Sequence, residues 1–183
     1  MVRMVRGAVV VVLLLLGAAA GAQIVSGPAP GKQLAPLRVF AATGAREGKE
    51  LDYVAERGDK PTVYVLIRDW DRPVARFLKT LDGAVHEDSA EALVVAAWLT
   101  DEKEETKNYL PRAQQSLKLE VTPLTVFLGD RAGPNEWDIS PDARVTVVVA
   151  RGGKSKAHFG FVSINEMHVP RVREALGKAL KEP

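Results

Sequence analysis

Pro61-Thr62-Val63-Tyr64-Val65-Leu66-Ile67 is an unbroken apolar and β-branched run, the pattern of a central strand covered on both faces. After the short stretch Arg68-Asp69-Trp70-Asp71-Arg72-Pro73, the residues Val74, Phe77, Leu78 and Leu81 recur at i, i+3, i+4 and i+7, which predicts one apolar helical face. Asp71 suits the N-cap, Pro73 falls in the first turn where its missing N–H does no harm, and Gly83 reads as the stop. A buried strand that feeds a helix through so short a turn needs strands on both sides and helices above it. Alternating strands and helices of this kind read as an α/β architecture.

The flanking segments supply the missing parts. Leu37 to Ala41 reads as a first strand, Thr43 to Gly48 as a turn, and Lys49 to Val54 as a second extended piece. Leu93-Val94-Val95-Ala96-Ala97-Trp98-Leu99 is a further buried strand. The acidic stretch Asp101 to Glu105 favours the positive end of a following helix, on which Leu110, Ala113 and Leu117 share a face. Pro111 leaves two starts for that helix, near Asp101 with a bend or near Asn108 without one. Leu124 to Leu128 reads as a short strand and 129–142 as a loop. Val145 to Ala150, the turn Arg151-Gly152-Gly153-Lys154, and Lys156 to Phe161 form an expected hairpin. Val172, Ala175, Leu176, Ala179 and Leu180 then share a helical face after Pro170.

Strand, turn with Trp70-Asp71-Arg72-Pro73-Val74, helix, strand, helix, hairpin and helix resemble the thioredoxin-like superfamily, over nearly all of residues 32 to 182. The stretch Gly31-x-x-Leu34 with Gly48-Lys49-Glu50-Leu51 is similar to the start of its redoxin branch. The resemblance implies a mixed central sheet flanked by helices, ending in an antiparallel hairpin and a C-terminal helix. The family's redox motif reads Trp-Cys-Gly-Pro-Cys. Here Trp70 and Pro73 keep register, while Asp71 and Val74 occupy the two cysteine positions. The family also carries a cis-proline before the first strand of the hairpin; Val145 takes that place, so the Arg144-Val145 peptide is expected to be trans. Pro123 is the rival position, and a cis bond there beside Trp70 would overturn the placement.

Cysteine is absent from all 183 residues. Thiol-disulfide exchange, thiolate catalysis, thiolate metal sites and lipid attachment through cysteine are all removed with it. Basic and acidic residues number 25 and 23, and Arg3 and Arg6 belong to an N-terminal leader, so the remainder is balanced. Nothing in that balance favours nucleic acid or an anionic membrane surface. Residues 1–22 combine a basic start, an apolar stretch and the ending Ala20-Gly21-Ala22, the pattern of a cleaved signal peptide. An uncleaved anchor is the alternative, although the apolar run is shorter than the ~20 residues that span a bilayer. Residues 23–36, with Gly27, Pro28, Pro30, Gly31 and Pro36, read as a linker, and 37–183 as the domain. The expected location is periplasmic or extracellular, with no stable membrane association after cleavage.

Other chemistry has little support. Hydrolase, P-loop, zincin and dinucleotide fingerprints are missing, so no cofactor is expected. His86-Glu87-Asp88 reads as a solvated loop rather than a metal site, and Asp101 to Glu105 as a helix start rather than a calcium loop. Trp70 and Trp137 read either as contact residues or as packing. The leading expectation is a protein- or peptide-binding module without thiol chemistry, its candidate surface formed by Trp70, Asp71, Arg72, Pro73, Val74, Arg144 and Val145. An enzyme using the Asp71 carboxylate and a purely structural accessory domain are the alternatives. No feature sets an oligomeric state.

Overall fold

A computed structural model describes residues 24–181; the expected leader at 1–22 lies outside the described residues. In chain order the elements are β1 (Arg38–Ala41), β2 (Glu50–Asp52), α1 (Tyr53–Arg57), β3 (Thr62–Ile67), α2 (Arg72–Asp88), β4 (Leu93–Trp98), α3 (Lys103–Leu117), β5 (Leu124–Phe127), β6 (Val145–Arg151), β7 (Lys154–Phe161) and α4 (Val169–Lys181). The strands form one sheet in the order β2-β1-β5-β4-β3-β6-β7. β3 pairs in parallel with β4 and antiparallel with β6, and β5 extends the parallel set. As the uninterrupted apolar run requires, all six residues of β3 are buried.

Alternation along the strands divides the core in two. Val63, Val65, Ile67, Val145, Val147 and Val149 face a layer made by α2, α3 and α4, which contribute Phe77, Leu78, Leu81, Leu110, Val172 and Leu176. Tyr64, Leu66, Val148 and Ala150 face the other way, onto Leu34, Leu37, Tyr53 and Trp137. That second layer has no long helix; irregular chain and the five-residue α1 cover it.

Several boundaries differ from the sequence expectation. α2 passes Gly83 and runs to Asp88. Glycine costs about 1 kcal/mol inside a helix, and here the turn beyond it buries Ala84 and Val85 in the core, which outweighs that cost. His86, Glu87 and Asp88 therefore sit on its last turn rather than in a loop. The extended piece expected to Val54 stops at Asp52, whose carboxylate accepts the N–H groups of Leu37 (2.8 Å) and Val54 (3.0 Å) and so starts α1. α3 begins at Lys103 and contains Pro111; buried Leu110 and Ala113 anchor the chain on either side of it.

Residues 24–36 form a strap rather than a free linker. Ile24 bridges Gly160 and Gln33 bridges Lys154, with Gly31 N–H donating to Ser155 O and Ser155 N–H to Lys32 O. The strap covers the outer edge of β7, which an open sheet would otherwise present to other chains. Pro28 and Pro30 cannot donate to a ladder, so the pairing is intermittent. The hairpin turn takes the expected form: Gly152 and Gly153 both have positive φ, 63° and 66°, as a two-residue hairpin turn of the mirror-image type needs.

Candidate functional site

β3 ends against β6, with Ile67 opposite Val145 and Arg68 N–H donating to Arg144 O at 2.9 Å. The chain then turns through Asp69 and Trp70 and reaches Asp71, the N-cap of α2. One Asp71 oxygen, Oδ1, accepts the Val74 N–H at 2.9 Å, and Oδ2 accepts from the Arg144 guanidinium at 2.8 Å. Arg144 also donates to Asp69 (3.3 Å), and Asp69 accepts in addition from Arg131 (3.2 Å). The hydrogen bond to Asp71 is the main cause that raises the Arg144 pKa, opposed by modest desolvation. Arg68 reaches the other way and donates to the carbonyls of Pro141 and Ala132, which ties the 129–142 loop to the motif end.

With both oxygens committed, Asp71 is a structural carboxylate: it caps a helix and neutralises an arginine. Each oxygen accepts one hydrogen bond and keeps a second lone pair, and the side chain is 33% exposed. Among the described residues no group of His, Asp and Glu is arranged to hold a metal ion.

Two of the expected surface residues are not on the surface. Val74 is 1% exposed and Val145 is 0% exposed; both point into the layer under α2, because the strand and helix periods carry them inward. Pro73 is half-buried. The backbone at the hairpin start is equally occupied, since Arg144 N–H donates to Phe161 O while its carbonyl accepts from Arg68. No cis peptide occurs among the described residues. Pro123 precedes β5 at the end of the sheet away from Trp70, its carbonyl accepting the Ala96 N–H. The accessible members of the candidate set are Trp70, Asp71, Arg72 and Arg144.

The structure adds two residues that strand and helix patterning had absorbed. Trp98, at the end of β4, stacks on Trp70 with ring centroids 5.4 Å apart and planes at 21°. Tyr109 of α3 meets both rings edge-on, at 6.2 and 6.0 Å. Trp98 lies within an apolar run and Tyr109 sits beside the apolar stripe of α3, so neither stands out by spacing. Trp70 and Tyr109 floor a groove of about 420 Å³ between α2 and α3, lined also by Arg72, Ala75, Ala113 and Ser116, while Trp98 supports Trp70 from outside that lining. Trp137 donates its indole N–H to Ala35 O at 3.0 Å; those of Trp70 and Trp98 have no acceptor among the described residues. A larger cavity of about 650 Å³ lies over the β1–β5 side, lined by Arg38, Glu50, Phe127 and Glu136, and does not reach the motif.

No family profile matches the sequence, and no curated protein matches it. Solved structures do. A putative thiol:disulfide interchange protein DsbE from Chlorobium tepidum superposes with a TM-score of 0.62 at 14% identity, over 82% of this chain and 97% of that one. A thiol peroxidase from Chromobacterium violaceum gives 0.62 at 12% identity, over 88% and 93%. The exposed lipoprotein thioredoxin of Streptococcus pneumoniae gives 0.53 at 13% identity, over 76% and 98%. At such identities the likeness establishes the fold alone: the chain has a thioredoxin-like fold, and its sequence contains no cysteine.

Proposed function

We propose that this chain is an exported thioredoxin-like domain that has no thiol chemistry and binds protein or peptide segments at the end of the sheet where the redox motif would lie. The observation that carries the reading is the half-exposed cluster of Trp70, Trp98 and Tyr109. Large aromatic side chains with unbonded N–H groups give contact area and directed donors at little entropic cost, which is why such residues concentrate at recognition surfaces. The leader pattern at 1–22 supports export, as does likeness to a protein described as an exposed lipoprotein. Among the described residues no helix is long and apolar enough to cross a membrane.

Because Arg144 uses both its backbone groups within the sheet, a ligand at this end is held by side chains rather than as an added strand. A random peptide library displayed on phage and selected on the full chain tests the reading. Enrichment of peptides that bind wild type and not Trp70→Ala is the expected result. Absence of any Trp70-dependent binder, with both proteins equally folded, would overturn it. In an insulin-reduction assay the purified chain is expected to give no thiol-dependent turnover.

A further inference from the structure

We propose that the groove between α2 and α3 reads acidic peptide segments, in which an Asp or Glu carboxylate pairs with Arg72 while a neighbouring aromatic or long aliphatic side chain packs on the Trp70 and Tyr109 rings; this rests on the peptide-binding reading above. Four arginines stand at this end of the molecule, and three are committed: Arg68 to two loop carbonyls, Arg131 to Asp69, and Arg144 to Asp69 and Asp71. Arg72, exposed at the first turn of α2, has no hydrogen bond or ion pair among the described residues.

The groove's lining contains just two charged residues, Asp71 and Arg72. Asp71 already accepts from Arg144 and from the Val74 N–H. The groove therefore presents one uncompensated positive charge beside an aromatic floor. A guanidinium matches a carboxylate with two parallel N–H donors, and the rings of Trp70 and Tyr109 in the lining match an apolar neighbour. The space of about 420 Å³ falls in the ~300–1,000 Å³ range of small binding sites, room for side chains rather than a folded element. The unbonded indole N–H of Trp70 can donate to a carbonyl of the segment. Ligands with a basic residue at that position meet the free guanidinium and are rejected.

The selection on displayed random peptides separates this inference from the reading it rests on. The expected outcome is enrichment of peptides with Asp or Glu next to Phe, Trp, Leu or Met, whose affinity falls about tenfold in Arg72→Gln, the weight of one charge-assisted hydrogen bond at a partly exposed site. Affinity is expected to hold in Arg112→Gln, which removes an exposed α3 arginine outside the groove lining, and the difference should shrink as salt is raised. Trp70-dependent peptides without acidic residues, or acidic peptides indifferent to Arg72→Gln, overturn the inference and leave peptide binding standing. No Trp70-dependent peptide at all overturns both.

Discussion

The two faces of the sheet each carry a tryptophan in an aromatic contact, and the two are built to opposite ends. Trp137 is fully buried, meets Tyr64 edge-on at 5.5 Å, and spends its N–H on Ala35. Trp70 lies half-exposed against Trp98 and Tyr109, and its N–H is bonded to no described residue. Burying an indole with its donor satisfied stabilises a fold; leaving it wet at a groove gives up part of that gain. The difference assigns the first tryptophan to holding the chain together and the second to meeting something outside it.

Truncation should separate them most sharply at Trp137. Trp137→Ala removes the largest fully buried side chain, and such changes cost about 3–5 kcal/mol. Urea denaturation should show that loss in the midpoint, and a cost below about 1 kcal/mol would mean that the second layer is dispensable. The same face should govern behaviour in alkali. Burial raises the pKa values of Tyr64 and Tyr53 above the ordinary tyrosine value, so the folded state retains protons that the unfolded chain loses near pH ~10. Stability from these groups is full below that pH and falls as pH rises above it. Melting temperature against pH measures this, and Tyr64→Phe should flatten most of the decline.

The strap offers an intermediate effect. A Cβ on Gly160 would lie 2.7 Å from Ile24 O and 2.8 Å from Ser26 Cβ, so Gly160→Ala must push residues 24–26 away at about 1–3 kcal/mol. Faster amide exchange at Gly31 and Ser155, whose N–H groups pair strap with β7, would show the strap lifting; unchanged exchange would deny that it is packed there. Smaller still is Asp71→Ala. It loses an N-cap and a half-exposed ion pair, together about 1–2 kcal/mol. Asp71→Asn keeps the acceptor for Val74 and should recover most of it.

How much of this could be read from the chain also divides by face. α2, α3 and α4 were legible because each repeats its apolar residues at 3.6 spacing, and β3 because an unbroken β-branched run has one natural place, the centre of a sheet. The other face has no period to read. Leu34, Leu37, Tyr53 and Trp137 come from a strap, a five-residue helix and a loop, and their glycines and prolines pointed to connection rather than coverage. Among the candidate site residues, Asp71 declared its capping role locally. Arg144 took its place opposite the motif through the resemblance to a hairpin, but its pairing with Asp71 needed a contact across 73 residues. Val74 and Val145, expected on the surface, are buried, because equivalence to a motif says nothing about which way a new side chain points.

Trp70 and Trp137 separate most sharply when stability and binding are measured on the same variants. Trp70→Ala exposes one face of Trp98 and of Tyr109 and loses only part of a buried ring, so its cost should stay under about 2 kcal/mol, well below that of Trp137→Ala. Its effect on peptide affinity should run the other way, with loss of binding in the Trp70 variant and near-unchanged binding in a Trp137 variant at temperatures where that variant remains folded. Urea midpoints and peptide affinities measured on the same two proteins check both halves. If Trp70→Ala destabilised as much as Trp137→Ala, the motif-end cluster would be core, and its half-exposure would reflect its place at the rim of the sheet rather than a surface kept open for a ligand.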